Sequence, residues 1–294
     1  MYVRLLVTTL CLLTATLAGS AATIRIPDPA LLNRLLALGI DLDGDGRIQT
    51  GEAAKVTNLH LSELGIINGE GLNHFTNVAL LDLRGNDLRS IDLTGMSGLR
   101  EVLLANNRIS QIRFDGLSRL EELQLDGNPI KASLDLTSLT GLKGFYALNC
   151  GLTGLKVSGL TRMVNLMVLC NAIPELNLAG MTALRDLRIE KNRLTHLDLT
   201  GLSGLESVWA ADNNINELKL KGATALKHLR LGNNQVAQVD CTGAPQLKAI
   251  DFTNNPLVEI NVRGLRHLES LACIGSQLIQ LNLSGTRSLR SVQW

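Results

Sequence analysis

The sequence predicts a solenoid, a chain wound into short near-identical turns whose strands stack in parallel into one sheet. Three observations carry this. Leucine makes up about a fifth of the 294 residues while Phe, Trp and Tyr together reach 3%, the composition of one small aliphatic unit used many times. An Asn, or a residue of similar size, returns at positions 86, 107, 128, 150, 171, 192, 213, 234, 255 and 276, spaced by 21 residues except for one interval of 22. The same alternation surrounds each of them. Val78-x-x-Leu81-x-Leu83-x-x-Asn86-x-Leu88 becomes Leu99-x-x-Val102-x-Leu104-x-x-Asn107-x-Ile109, and then Leu120-x-x-Leu123-x-Leu125-x-x-Asn128-x-Ile130.

Residues 1–22 read as a secretory signal peptide rather than as part of the fold. A basic start at Arg4, an apolar run over 5–17 and the small residues Ala18-Gly19-Ser20-Ala21-Ala22 place a cut between Gly19 and Thr23. The run is too short for a stable bilayer anchor, and no eighteen-residue apolar stretch follows, so no membrane span is expected. Lys+Arg 28 against Asp+Glu 27 leaves a net charge of +1. No global field then draws the chain to nucleic acid or to an anionic membrane.

Residues 23–55 read as an amino-terminal cap. Asp41-Leu42-Asp43-Gly44-Asp45-Gly46-Arg47-Ile48-Gln49-Thr50-Gly51-Glu52 fits the twelve-residue loop of an EF-hand. Oxygen ligands for one structural Ca2+ would come from Asp41, Asp43 and Asp45, from the Arg47 carbonyl, through water at Gln49, and from both oxygens of Glu52. Gly46 supplies the sharp turn and Ile48 an apolar anchor. Helical signals flank the loop: Pro29 followed by Leu31, Leu32, Leu35 and Leu36 before it, and Glu52-Ala53-Ala54-Lys55 after. Two short helices here would cover the open apolar end of the first turn, as solenoids require for solubility.

Residues 56–294 form the repeats. Alternation points the leucines of x-Leu-x-Leu-x to one side of a short strand and the intervening residues to the other. The ladder Asn sits where the chain leaves the strand, so its amide meets backbone groups that the bend leaves unpaired. Half a turn later come Ile91-Asp92-Leu93, Leu134-Asp135-Leu136 and Leu197-Asp198-Leu199, which make the convex side extended rather than helical. Glycines such as Gly95, Gly116 and Gly243 then turn the chain back. An imperfect copy, Val56 to Ile66, precedes the array, and the sequence stops at Trp294 inside a further copy. This is the leucine-rich-repeat pattern. In that register Cys150, Cys241 and Cys273 point inward and behave as small hydrophobes. Free thiols are expected, with a Cys150–Cys170 bridge as the alternative.

A signal peptide, a Leu-rich helix, an Asp-x-Asp-x-Asp-Gly loop, then Phe75-Thr76-Asn77-Val78 leading into short repeats resembles the exported surface leucine-rich-repeat proteins of bacteria, the internalin-like group found in Bacteroidota. The resemblance implies a secreted, cell-surface or periplasmic protein, an adhesin or protein-binding module. No recognisable sorting segment follows the repeats.

The register also arranges the outward residues. The central column of the concave face reads His60, Asp82, Leu103, Gln124, Tyr146, Met167, Arg188, Trp209, Arg230, Asp251, Ala272, Gln293. Tyr146, Leu148, Met167, Leu169 and Trp209 then form an apolar and aromatic patch edged by Asp186, Arg188, Glu190 and Arg230. Exposed apolar clusters with a charged rim mark interaction sites, and Trp, Tyr and Arg dominate their hot spots. A protein or peptide ligand is expected there, on a monomer. A carbohydrate stacking on Trp209 and Tyr146 is the alternative, and a structural spacer or truncated adhesin the third. No enzyme is expected, because His60, His74, His196, His228 and His267 fall in different registers without a nucleophile motif.

Overall fold

The computed structural model describes residues 22–294, so the expected signal peptide lies outside the described residues but for Ala22. Twelve three-residue strands, from Asn58–His60 to Ser291–Gln293, form one parallel sheet in chain order. The pairing never slips: Leu59 lies beside Leu81, Leu81 beside Val102, and so on to Leu271 beside Val292. The middle residue of each strand but the last is buried in the core, Leu59, Leu81, Val102 and Leu123 fully so. Volume is balanced within a turn, since the turn that carries Phe145 at this inward place carries Ala147 at the next.

The asparagines stitch neighbouring turns together. Asn213 Nδ2 donates to the Ile189 carbonyl of the preceding turn (3.0 Å) and to the Ala210 carbonyl of its own (3.1 Å), while its Oδ1 accepts the Leu194 N–H (3.1 Å). Asn107, Asn128, Asn171, Asn192 and Asn234 repeat the scheme. Cys150 replaces one of them, and its Sγ reaches the Leu125 carbonyl at 3.2 Å. A thiol is too weak an acceptor to serve the amide that Asn would have taken, that of Ile130. The extra residue of the 22-residue interval lies here, and the Ile130 N–H folds back onto the Asn128 carbonyl at 2.9 Å. The two irregularities thus compensate one another.

The residue before each ladder position is left-handed: Asn106, Asn149, Lys191, Asp212, Asn233 and Asn254 have φ between 55 and 58°. Cys170 occupies the same place at φ 55° and stands half-exposed on the outside. It therefore points away from buried Cys150, and Cys150, Cys170, Cys241 and Cys273 are all free. Burial pushes the Cys150 and Cys273 thiols up to about 11, which keeps them protonated and inert. Of the turning glycines, Gly95 and Gly116 have positive φ. Gly243 does not, and is required instead by close approach: a Cβ there would meet the Leu220 carbonyl oxygen at 2.8 Å.

The convex side is extended, but its strands pair only in twos: Ser90–Asp92 with Gln111–Arg113, Ser133–Asp135 with Gly154–Lys156, His196–Asp198 with Glu217–Lys219, and Gln238–Asp240 with Glu259–Asn261. Pro174 explains one break. In other turns the amide at that place donates to the turn before, as Ser110 does to Arg89 and Asn216 to Thr195. Proline has no N–H to give, and residues 175–177 pair with neither neighbour.

At the amino end, α1 (Pro29–Ala37) and α2 (Thr50–Ala53) flank the acidic loop. Leu31, Leu35, Ile48 and Ala53 share one core with Leu59, Leu61 and Leu72. Asp28 locks the cap to the array. Its Oδ1 accepts the Leu31 N–H at 3.0 Å, capping α1, and its Oδ2 accepts the N–H groups of Ile67 (2.8 Å) and Asn68 (3.0 Å) in the first turn. Burial alone would raise its carboxyl, but these N–H bonds outweigh it and hold it below the ordinary aspartate range.

Candidate functional site

The predicted patch comes together on the concave face. Tyr146, Met167, Arg188, Trp209 and Arg230 lie on consecutive rungs of the sheet. Leu148 is 44% exposed, and Tyr146, Met167, Leu169 and Trp209 are half-buried. The Tyr146 ring folds over Gly144, where a Cβ would stand 3.0 Å from the ring. A larger residue at that place would lift the tyrosine off the sheet, a dependence the repeat pattern does not show.

Trp209 is held from both neighbouring turns. The Arg188 guanidinium lies 5.4 Å and that of Arg230 4.2 Å from its ring centroid, within the range of cation–π attraction. Arg188 also pairs with Asp186 at 3.2 Å. Glu190, expected on the rim, is more enclosed than a rim residue: one carboxylate oxygen is buried without a partner among the described residues, and burial pushes its carboxyl above the usual range. Along the edge where the chain enters the strands, each of two glutamates bridges two cations. Glu121 joins Arg100 (2.9 Å) and Lys143 (2.6 Å), and Glu206 joins Arg185 and Lys227 (both 2.6 Å).

In the acidic loop, oxygens of Asp41, Asp43 and Asp45 lie within 4.8 Å of one another. Ligands around one calcium ion, each 2.3–2.6 Å from it, are at most about 5 Å apart, so the trio fits such an ion. The loop is tightened by its own carboxylates, Asp41 accepting the Gly44 (2.8 Å) and Gly46 (2.9 Å) amides and Asp45 that of Arg47 (2.8 Å). The buried Gln49 Oε1 has no partner among the described residues, while its Nε2 donates to Asp45 at 3.0 Å. Glu52 stands outside the trio. Its oxygens accept the Leu42 (2.6 Å) and Gln49 (2.9 Å) amides and so close the loop's backbone. The strand-like residue Ile48 is paired by the amino-terminal segment, with the Ile24 N–H donating to its carbonyl at 2.8 Å. This contact and the antiparallel bridge between Thr23 and Gln49 tie the loop to the amino-terminal segment.

His60 stands beside Asp82 as the register requires, but the Asp82 carboxylate is taken by Arg84 through two contacts of 2.7 and 2.9 Å. Asp28 was not singled out in the sequence; an Asp directly before Pro29 is a helix-start signal, yet its second set of partners lies about forty residues away.

No family model matches the chain. Among solved structures, the functional domain of InlJ from Listeria monocytogenes, described as including a cysteine ladder, matches with TM-score 0.72 at 27% identity, over 84% of this chain and 55% of that one. Internalin C2 from the same species matches with TM-score 0.57 at 24% identity, over 80% of this chain and 100% of that one. The ectodomain of the Arabidopsis thaliana receptor kinase GASSHO1/SCHENGEN3, solved in complex with CASPARIAN STRIP INTEGRITY FACTOR 2, matches with TM-score 0.60 at 19% identity, over 84% and 33%. The chain therefore spans about half the length of the InlJ domain. The fold is that of the leucine-rich-repeat proteins, and its structural neighbours include bacterial internalins. No helix among the described residues is long and apolar enough to cross a membrane.

Proposed function

We propose that the chain is an exported, adhesin-like, non-enzymatic protein that binds a protein or peptide on its concave face, with a calcium-stabilised amino-terminal cap. The observation that carries the binding role is the half-exposed patch of Tyr146, Leu148, Met167 and Leu169 beside the Arg188–Trp209–Arg230 stack. Such a surface combines apolar area with charged anchors already held in place, the make-up of binding hot spots. The neighbouring guanidiniums weaken the carbohydrate reading, because a sugar ring would have to displace one to stack on Trp209.

Labelled protein applied to intact cells tests this. Binding is expected to be lost after protease treatment of the cells and to fall at least tenfold in Leu169→Arg, whose half-exposed site tolerates a charge. Binding that survives protease and appears on a glycan array would establish the carbohydrate alternative, and indifference to Leu169→Arg would remove the concave face from consideration.

The residues that would hold calcium are Asp41, Asp43 and Asp45, with the Arg47 carbonyl, Gln49 and Glu52 completing the set expected from the sequence. The ion would neutralise carboxylates that otherwise repel one another. A single extracellular-type site binds at about 10⁻⁴–10⁻³ M. Ten millimolar calcium then stabilises the cap by roughly 1.4–2.7 kcal/mol. Asp43→Asn, which leaves the contacts of Glu52 intact, should abolish the calcium-dependent rise in melting temperature. An unchanged wild-type midpoint in chelator and in calcium would exclude the ion.

A further inference from the structure

The inference rests on the concave face being the binding surface and adds the chemistry of what binds there: we propose that the partner presents an acidic segment, one carboxylate of which seats on the Arg230 guanidinium while an aliphatic side chain of the same segment covers Met167 and Leu169. Arg230 is exposed, and among the described residues it pairs with no carboxylate, unlike Arg188 with Asp186. Asp251 stands on the next rung, but Arg230 turns to the Trp209 ring at 4.2 Å, and Asp251 accepts the Thr253 N–H at 2.9 Å.

A guanidinium fixed on an aromatic face keeps its planar fork of donors free and loses little further freedom on binding. Carboxylate is the group that matches this fork with two parallel hydrogen bonds. Beyond Arg230 the small side chains Ala249, Ser270, Ala272 and Ser291, with Asp251 and Gln293, line a recess of about 260 Å³. The recess gives a side chain room to approach the guanidinium from the side opposite Trp209. Lys248 and Arg290, on the strand-entry edge of the same turns, add positive charge on either side of Glu269.

Spacing makes the segment specific. Met167 and Arg230 are three rungs apart, which is about 14 Å at 4.8 Å per strand. An extended peptide covers that distance in about four residues. The recognised pattern is therefore an aliphatic residue and a Glu or Asp four positions apart, running along the stack.

The test uses synthetic nine-residue Gly/Ser peptides carrying Leu and, four positions on, Glu, Gln or Lys, titrated to millimolar concentration. Trp209 and Trp294 are the two tryptophans of the sequence, so Trp294→Phe makes Trp209 the sole reporter of binding. The Glu peptide is expected to bind at least tenfold tighter than the Gln or Lys peptide, less tightly as salt rises, and no better than the Gln peptide in Arg230→Gln. Glu and Gln peptides that bind alike, with both lost in Leu169→Arg, would overturn the acidic contact and leave the concave reading standing. Glu-peptide binding that survives Leu169→Arg and is lost in Arg230→Gln would overturn the aliphatic half of the pattern. Equal binding of inorganic phosphate would replace the segment by a small-anion site. Absence of peptide binding at these concentrations would overturn the proposal.

Discussion

The two ends of the sheet carry the same strand in the same register and meet opposite fates. At the amino end Leu59 is fully buried beneath α1 and its loop. At the carboxyl end Val292, which occupies the same column, is 37% exposed, and Trp294, in the inward column of Leu83, is 62% exposed. A turn of this array thus has no core of its own: its inward residues are buried only by what stands on both sides. The cap is not decoration on the solenoid but its missing first neighbour, and Asp28 is the residue that fastens it.

The sharpest test of that contrast changes the same column at both ends. Leu59→Asp places an unpaired charge in the closed core and is expected to cost about 4 kcal/mol or more. Val292→Asp is expected to cost below about 0.5 kcal/mol. Urea unfolding of both variants checks the difference, and comparable losses would mean that the two ends are equally closed.

Next in size is Asp28→Ala. It removes a helix cap and leaves the Ile67 and Asn68 amides without their acceptor, an expected loss of about 2–4 kcal/mol. Because the folded state holds the Asp28 carboxyl low, its contribution is present above the ordinary aspartate range and disappears as pH falls through the lowered value. The protection factors of the amides of residues 59–61, taken relative to intrinsic exchange at each pH, should therefore fall in acid in the wild type and already be low at neutral pH in the variant.

Between the ends, Asn213→Ala breaks three bonds, two of them linking neighbouring turns, and is expected to cost about 2–3 kcal/mol, read from the same urea curves. Cys150→Ala loses two weak thiol contacts, to the Leu125 and Leu148 carbonyls, and should cost less. Equal costs would mean that the extra residue before Ser133 does not relieve the neighbouring ladder. The smallest effect belongs to Pro174→Thr, which returns an N–H to the convex side. The gain of one bond and the loss of proline's restriction on the unfolded chain nearly offset, leaving a change within about 1 kcal/mol. The readout is slower hydrogen exchange over 174–178.

What was legible in the sequence is what repeats. Twenty-one-residue spacing is enough to place every outward residue on its rung, because a parallel stack converts sequence period directly into spatial neighbours. Tyr146, Trp209 and the arginines beside it were found in this way. The unread features are the ones that occur once. Gly144 makes room for Tyr146, Pro174 interrupts the convex pairing, and Glu52 holds backbone amides where the loop motif assigns it to an ion. The oxygen of Asp28 that reaches Ile67 and Asn68 depends on a contact between distant segments, and no local pattern encodes it. Lys191 and Cys170 show a further limit: their left-handed backbone is imposed by the repeat, although neither residue type favours it.

The compensation at Cys150 also bears on how such a chain shortens. Excising residues 193–213 would join Asn192 to Asn214 in phase and delete a whole rung, bringing Arg188 against Arg230 with no indole between them. Excising 129–150 instead would take out the thiol together with the extra residue it depends on, and the surviving rungs would be uniformly spaced. Removing either irregularity by itself would leave a turn with a stranded amide or a shifted phase, so the two can be lost only as a unit.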